Sequence, residues 1–398
     1  MKKLPVCCLS LAFFCACTPL AGGRLLQDLT PTATVIPAAD IAVCASGCDF
    51  TSIQDAIDAP ATAAGAVIAV LDTIHTEAGI LVSKDVTIQG LGQTATILQA
   101  AESATQAHDR IFFIPAGVQV VIRHMTLRYG NPQADIRSGG AIRNEGTLLL
   151  ENIILRENEA SAGGAILNDG TLHISNSTIT ENIAKGGGDI FTECKTGGGI
   201  KIMGGAVTIE NSTISGNQSK GKGGGIHIAC VGELYATNTT ISGNTSLEDG
   251  GGVYINGLAY LTHVTITENT STNGGGIAIQ GSGEKGVIRG QLNYQNTIVA
   301  NNHIRLEDYG TVECLAGRNA EIVLNQNNWV ADGNCEASYS GDPLLLALSD
   351  NGGYSLTHLL SEDSPAQNVL AKEDCLLECD QRGYPRTSPC GLGATESK

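Results

Sequence analysis

The most constraining feature of this 398-residue chain is a seven-residue pattern that recurs at uneven intervals. The pattern begins with asparagine at Asn152, Asn176, Asn211, Asn238 and Asn296, and with histidine at His124 and His263. Its fourth residue is always aliphatic: Leu127, Leu155, Ile179, Ile214, Ile241, Ile266 and Val299. Successive copies begin 24 to 35 residues apart. A constant kernel with variable spacers of this length is typical of a solenoid whose insertions lie in loops.

The spacing of apolar residues indicates which solenoid this is. In the segment TLHISN, Leu172 and Ile174 alternate with His173 and Ser175, which is the period of a strand rather than of a helix. The segments GGGIKI, GGGIHI, GGGVYI and GGGIAI alternate in the same way. Three short strands per repeat predict an all-β parallel β-helix, in which successive coils stack about 4.8 Å apart.

Stacking suggests a role for the asparagine that opens each repeat. Residues at the same turn of successive coils lie above one another, so their side-chain amides can donate and accept hydrogen bonds along the stack. We therefore expect a structural ladder formed by Asn152, Asn176, Asn211, Asn238 and Asn296. The aliphatic fourth residue is expected to point inward, where a fully buried side chain contributes about 1.5–3 kcal/mol.

The first residues of the chain predict export. Lys2 and Lys3 precede the apolar run LPVCCLSLAFFCA, which is short for a membrane span and indicates a signal peptide. The run ends in a sequence that resembles a bacterial lipobox, in which a cysteine becomes the lipidated first residue. We expect a lipoprotein-type signal peptide over residues 1–16, lipidation of Cys17 and a flexible tether over residues 17–40. Because Phe14 and Cys15 depart from the usual lipobox residues, free secretion is the alternative.

The charge of the chain limits its partners. The formal net charge is −17 at pH 7, and an acidic surface of this kind repels phosphate backbones. Nucleic acid is therefore not an expected partner. We expect the protein at the cell surface, as an outer-membrane lipoprotein or in secreted form, with membrane contact through the N-terminal lipid only.

Both ends of the predicted β-helix need a cover. The segment TSIQDAIDA places Ile53, Ala56 and Ile57 at helical spacing after a cap at Thr51, which predicts a short capping helix. We expect the β-helix and this N-terminal cap to occupy residues 41–305. The repeat is lost from residue 306, and residues 306–398 are expected to form an irregular C-terminal cap.

The chain also resembles a known superfamily. CDFTSIQDAID followed by ILVSKDVTIQG is similar to the opening coils of bacterial right-handed parallel β-helix proteins of the pectin lyase-like superfamily. The tail GDPLLLALSDNGGYSLTHLLSEDSPAQNVL, with DQRGYPR and CGLGA, resembles the C-terminal module called choice-of-anchor Q, although Gly391 stands where that module usually carries Asp. GGAI at Gly139 and Gly163 is similar to the polymorphic outer-membrane protein repeat, with an aliphatic residue in place of that family's phenylalanine. The superfamily includes lyases, hydrolases and adhesins, so the resemblance implies a right-handed coil but no single activity.

Nine cysteines follow Cys17, and an exported location permits disulfides between them. Nearby residues suggest the pairs Cys44–Cys48, Cys314–Cys335 and Cys379–Cys390, and Cys194–Cys230 would bridge neighbouring repeats. Cys375 is then left over. The spacings do not match a structural zinc site.

The strand that follows each GGG supplies a candidate catalytic site. We expect its outward residues Lys201, His227 and Tyr254 to form one exposed file, flanked by the aliphatic side chains of Ile142, Ile166 and Ala278. Elimination at a uronic acid needs a group that neutralises the carboxylate, a base for the C5 proton and an acid for the leaving oxygen, and these three residue types can supply them. The insertion before this strand carries Asp189 and Glu193, which are candidate Ca²⁺ ligands. The alternative is that polar residues simply occupy a solvated column.

Two functions fit these features. The first is a surface protein, adhesin-like or structural, that binds glycans or other surface partners through a rigid rod of coils. The second is a polysaccharide lyase, or another carbohydrate-active enzyme, that acts on an acidic polysaccharide. One tryptophan, Trp329, and an aromatic content of 4% leave little surface for sugar stacking, and an acidic exterior disfavours a polyanionic substrate unless calcium intervenes. These features favour the first function.

Overall fold

The computed structural model describes residues 39–133, 138–186, 196–229, 231–281, 290–305 and 312–396. The predicted signal peptide, Cys17 and all but the last residues of the tether lie outside these ranges. None of the helices in the described ranges is long and apolar enough to cross a membrane.

The described chain forms a right-handed parallel β-helix, as the repeats predict, and its named strands lie in three parallel sheets. The first sheet contains Ile41–Val43, Ala66–Val70, Ile74–Thr76, Val86–Gln89, Ile97–Gln99, Gln119–Arg128, Thr147–Arg156, Thr171–Ser175, Thr178–Thr180, Ala206–Glu210, Thr213–Ser215, Glu233–Ser242, Leu258–Thr267, Gln291–Gln295, Ile298–Ala300, Glu321–Gln326 and Trp329–Val330. The second sheet contains Ile80–Leu81, Phe112–Ile114, Ile142–Asn144, Ile166–Asn168, Ile200–Ile202, Ile226–Ile228, Val253–Ile255, Ile277–Ile279 and Cys314–Ala316. The third contains Glu159–Ala160, Ile183–Ala184, Gln218–Ser219, Thr245–Ser246, Thr270–Ser271 and His303–Ile304.

Columns of aliphatic side chains fill the space between the sheets. The fourth residues of the repeats pair in register from Leu127 through Ile214 to Val299, and each is at most 1% exposed. The second sheet adds an inward column that runs from Ile142 to Ile277. The prediction that the fourth residue points inward is confirmed.

The asparagine that opens each repeat has a different role from the predicted one. All seven openers have a left-handed backbone, with φ between 44° and 60°, at the bend between two strand segments of the first sheet. Asparagine tolerates this conformation better than most residues, which explains its recurrence. The openers stack coil upon coil, but the amides of Asn176, Asn211 and Asn238 do not hydrogen-bond one another in the described structure. Asn152 and Asn296 instead bond the histidine openers His124 and His263, at 2.9 and 3.0 Å.

The hydrogen-bonded ladder lies six residues later, at the end of the repeat. Its members are Asn158, Asn182, Asn217, Asn244, Asn269 and Asn302, and each is at most 1% exposed. Each Nδ2 donates to the Oδ1 of the next member at 2.8–3.0 Å, and the last donates to Glu313 at 2.7 Å. The predicted ladder was therefore placed at the wrong end of the repeat. Every amide of the observed ladder is buried, so its hydrogen-bond partners must come from the neighbouring coils rather than from water.

A short helix, Ile53–Asp58, covers part of the N-terminal end as predicted, and it buries Ile53, Ala56 and Ile57. Its cap is Ser52 rather than Thr51, since the Ser52 side chain accepts from the N–H of Asp55 at 3.1 Å. The remaining helical turns are the 3₁₀ segments Ala104–Gln106 and Lys372–Asp374 among the described elements.

A buried histidine connects this helix to the first coil. The carboxylate of Glu77 accepts from the N–H groups of Ile53 and Gln54 at 2.7 and 2.8 Å, which suits the positive end of a helix. The imidazole of His75 lies between Glu77 and Asp72, at 2.9 and 3.0 Å. The cluster therefore fixes the helix to the coil.

The C-terminal region differs from the expected end cap. Cys314–Ala316, Glu321–Gln326 and Trp329–Val330 continue all the way round another coil, so the β-helix extends past the predicted limit at residue 305. Residues 342–396, which we call the strap, then run back along the outside of the first sheet. This segment could not be located from its own sequence, because its partners belong to coils more than one hundred residues away.

The strap covers a column of threonines. Thr213, Thr240 and Thr265 point outward in register, yet each is at most 1% exposed. Gln381 of the strap donates to Thr213 at 2.9 Å and accepts from Thr240 at 2.7 Å, and Thr265 accepts from the N–H of Ala394 at 2.9 Å. These contacts attach the strap to one flank of the rod.

Candidate functional site

The predicted catalytic file lies on the outer side of the second sheet. Lys201 pairs with His227 and His227 pairs with Tyr254, so the three side chains follow one another in consecutive coils. Ala278 follows them, as predicted. On the other side the aligned residues are Leu167 and then Arg143, so the prediction of Ile142 and Ile166 there was wrong by one residue. Those two isoleucines pair with each other and with Ile200 in the inward column. The regular GGG before each strand sets this register.

The file is not exposed as predicted. Lys201 and His227 are 0% exposed and Tyr254 is 3% exposed. Thr196 and Lys222, from the segments that precede two of the strands, contact His227 and Tyr254 respectively. The expectation of an exposed file was wrong, because Thr196 and Lys222, directly before two of the GGG triplets, pack against these outward side chains.

His227 is held as a neutral base. Burial, and then the positive charges of Lys201 and Lys222, lower the pKa of His227 well below its usual value. Thr196 donates its hydroxyl proton to the carbonyl of Lys222 at 2.6 Å, so its oxygen accepts from Nδ1 of His227 at 3.3 Å. The proton of the imidazole is then on Nδ1, and Nε2 carries a lone pair with no hydrogen-bond donor within the described residues.

Tyr254 is bound on several sides. Its ring lies edge-on to His227, with centroids 4.9 Å apart, and Nζ of Lys222 is 4.6 Å above the ring centroid. Lys222 also donates to the tyrosine hydroxyl at 2.9 Å, and this hydroxyl hydrogen-bonds Gln280. Burial lowers the pKa of Lys222, but the bond to Tyr254 and the charges of Asp249 and Glu248 outweigh it, and the net pKa is raised. Lys222 therefore stays charged.

Lys222 was not among the predicted site residues, although the sequence contains a pattern that indicates it. Thr196, Lys222, Asp249 and Asn273 each stand directly before a GGG triplet. The structure pairs Thr196 with Lys222, and Asp249 with Asn273. The position before the triplet is thus a second outer column beside the file, and alignment on the triplets would have revealed it.

The remaining predicted site residues separate into those the structure describes and those it does not. Asp189, Glu193, Cys194 and Cys230 lie outside the described ranges, as does Cys17. Within those ranges, no group of three or more His, Cys, Asp or Glu side chains could hold a metal ion, and calcium binding stays a prediction.

The disulfide predictions are confirmed at two of the described pairs. Cys44 bonds Cys48 and Cys314 bonds Cys335, whereas Cys390 bonds Cys375 instead of Cys379. The strap decides this last pairing, because an antiparallel bridge between Leu370 and Cys390 brings Cys390 to the segment that contains Cys375.

A second polar surface lies on the outer side of the first sheet and is open to solvent. Tyr235 and Tyr260 stand in register in adjacent coils, and their rings are stacked with centroids 4.8 Å apart and planes 5° apart. Tyr235 is 37% exposed. Its hydroxyl donates to Glu233 at 2.9 Å, and the pKa of Tyr235 is raised to about 12 by partial burial and by this carboxylate. The ring is therefore an uncharged, fixed and accessible aromatic surface.

Comparison with known proteins gives one partial match. Residues 211–229 match the model of the Chlamydia polymorphic membrane protein repeat. The matched segment begins at the opener Asn211 and includes the GGG triplet and His227. No curated protein matches the chain. The repeat match, together with the observed fold, supports a surface-exposed β-helix protein in an exported location.

Proposed function

We propose that this chain is an exported cell-surface β-helix protein that binds glycans and does not cleave them. The tyrosine pair on the outer face of the first sheet carries this proposal, with Tyr235 exposed and Tyr260 partly exposed. Tyr235 and Tyr260 project from two rigid strands that pair over their full length, so their rings are held in place before any ligand arrives. Rigid aromatic groups of this kind contribute contact area at little entropic cost.

The buried file supports binding rather than catalysis. A catalytic base must reach within hydrogen-bond distance of the proton that it removes. His227 has no exposed surface, and Tyr254 is occupied by Lys222 and Gln280. The contacts of His227 with Thr196, and of Tyr254 with Lys222 and Gln280, join successive coils of the second sheet. This structural role is sufficient to explain why polar side chains occupy the file.

Attachment to the membrane through a lipid on Cys17 is part of the proposal. We also propose that the tail is a choice-of-anchor Q module, as its sequence resembles. The strap packs against the rod, so it would be displayed at the cell surface together with the rod. Metabolic labelling with a radioactive fatty acid tests the lipid. We expect label in the wild-type protein and none in Cys17→Ser, and label retained in Cys17→Ser would contradict the assignment.

The binding function is tested with residues 18–398 on an array of uncharged, acidic and amino-sugar oligosaccharides. We expect binding to at least one glycan, with loss of that binding when Tyr235 and Tyr260 are both changed to alanine. Gln119→Ala, an exposed residue at the start of a strand in the same sheet, is the matched control and should bind as the wild type does. An array with no bound glycan would reject the proposal.

A lyase is the second candidate, because one observation favours it. Nε2 of the neutral His227 is an unengaged base beside two lysines that could neutralise a uronic acid carboxylate, and Tyr254 could protonate the leaving oxygen. Incubation with uronic acid polymers and Ca²⁺, followed by the absorbance of unsaturated products, tests this function. Product formed by the wild type and by the exposed control His303→Ala, but not by His227→Ala, would support the lyase over the binding protein.

A further inference from the structure

One column on the exposed face of the first sheet contains a gap between two rings. In consecutive coils its residues are Leu149, His173, Thr208, Tyr235 and Tyr260. Thr208, whose side chain is short, stands between an imidazole and a phenol. Coils stack about 4.8 Å apart, so the strands that carry His173 and Tyr235 are roughly 10 Å apart.

The two rings are the walls of this gap. One face of the Tyr235 ring is stacked on Tyr260, and the residue is still 37% exposed, so its free face is the one directed towards Thr208. The side chain of His173 is 38% exposed on the opposite side. A separation of roughly 10 Å leaves room for one saturated six-membered ring between the free face of Tyr235 and the side chain of His173, in van der Waals contact with both.

Two carboxylates line the sides of the gap. Glu210 lies two residues after Thr208 on the same strand, with its carboxylate 3.8 Å from Nε2 of His173. Glu233, two residues before Tyr235, accepts the hydrogen bond from the Tyr235 hydroxyl and retains further lone pairs. Carboxylates of this kind accept hydrogen bonds from sugar hydroxyl groups, and they repel a ligand that is itself an anion.

We propose that this gap, formed by His173, Thr208 and Tyr235, binds one uncharged pyranose unit of an oligosaccharide. The inference rests on the proposed glycan-binding function and narrows it from glycans in general to neutral ones. The sugar ring stacks between the imidazole and the phenol, Thr208 forms the floor, and Glu210 and Glu233 accept from its hydroxyls. Acidic polysaccharides are excluded from this position by the two carboxylates.

Filling the gap is the sharpest test. Thr208→Tyr would place a third tyrosine in register with Tyr235 and Tyr260, which is a favourable substitution on the outer face of a strand. Gln119→Tyr adds the same side chain to an exposed position of the same sheet, outside the gap, and is the matched control. Tyr235→Ala removes a wall, whereas Tyr235→Phe keeps the ring and loses only the hydroxyl. Thermal unfolding of each variant checks that it is folded.

Binding is measured by calorimetry with three probes: hexamers of β-1,4-linked glucose, of N-acetylglucosamine and of galacturonate. We expect one of the uncharged hexamers to bind the wild type, and Thr208→Tyr and Tyr235→Ala to weaken it by at least about tenfold. Gln119→Tyr and Tyr235→Phe should remain within about threefold of the wild type.

The outcomes separate the two proposals. If a neutral hexamer binds the wild type and Thr208→Tyr equally, the gap is not the site, although glycan binding stands. If only the galacturonate hexamer binds, the assignment of the gap to an uncharged sugar is wrong, although glycan binding again stands. If neither the hexamers nor any glycan on the array binds, both the gap and the proposed function are rejected.

Discussion

The asparagine ladder predicts a large and position-specific loss of stability. Asn244 is 0% exposed and makes four side-chain hydrogen bonds. Its Oδ1 accepts from the backbone N–H and from Nδ2 of Asn217 at 3.0 and 2.9 Å. Its Nδ2 donates to the carbonyl of Ile214 and to Oδ1 of Asn269, both at 2.9 Å. Asn244→Ala removes all four bonds and leaves buried groups on Asn217 and Ile214 without a partner.

The magnitude follows from these bonds. Each buried hydrogen bond contributes about 1 kcal/mol net, so Asn244→Ala should lower the free energy of unfolding by about 4 kcal/mol. The matched control is Asn211→Gly, at the other end of the repeat. Asn211 has φ of 49°, a conformation that glycine adopts freely, so this change should cost less than about 1 kcal/mol.

Urea unfolding followed by circular dichroism measures both variants. With an m-value of about 3–4 kcal/mol per molar urea for a chain of this size, Asn244→Ala should lower the midpoint by roughly 1 M. Asn211→Gly should lower it by less than about 0.3 M. Equal effects, or a larger effect at Asn211, would refute the assignment of the ladder to the end of the repeat.

Three further predictions concern titratable groups and the strap. Burial lowers the pKa of His75, but the bonds of its imidazole to Glu77 and Asp72 outweigh burial and raise the pKa above 6.5. The protonated imidazole therefore stabilises the fold fully below pH 6.5, and this stabilisation is lost as pH rises through the pKa of the folded state. Burial raises the pKa of Glu77, but its hydrogen bonds to His75 and to the start of the helix outweigh burial and lower it below 4.5, so the stabilisation from Glu77 is lost only as pH falls through that lower value. The urea midpoint of the wild type should therefore be higher than that of His75→Gln, and the difference should be larger at about pH 5.5 than at about pH 9. A difference that does not vary with pH would contradict this prediction. His227 should show no imidazole titration by NMR between about pH 5 and pH 8, and a titration midpoint in that range would contradict its burial. Gln381→Ala should lower the free energy of unfolding by about 2 kcal/mol and increase proteolysis of the strap, because Gln381 bonds Thr213 and Thr240. Glu373→Ala, at an exposed position of the strap, should change neither quantity.

Much of the candidate site could be predicted from the repeats, but its exposure could not. Alignment on the GGG triplets placed Lys201, His227 and Tyr254 in one column, and the structure confirms that register. Alternation along a strand distinguishes inward from outward side chains, but it does not distinguish an outward side chain in water from one beneath a loop. The tyrosine pair was available from alignment on the openers, since Tyr235 and Tyr260 each stand three residues before an opener, Asn238 and His263.

The sequence by itself determined the parallel β-helix, the inward aliphatic columns and the short N-terminal helix, because each depends on residues close together in the chain or on a repeat that imposes its own register. Only the tertiary structure decided which asparagines form the ladder, which outward columns reach solvent and where residues 342–396 pack. These features depend on segments that meet across many coils, as Gln381 meets Thr213, and no local pattern encodes such a contact. The bend at Asn211 and the ladder at Asn217 show the difference, since both positions carry asparagine, and backbone conformation and burial separate their roles.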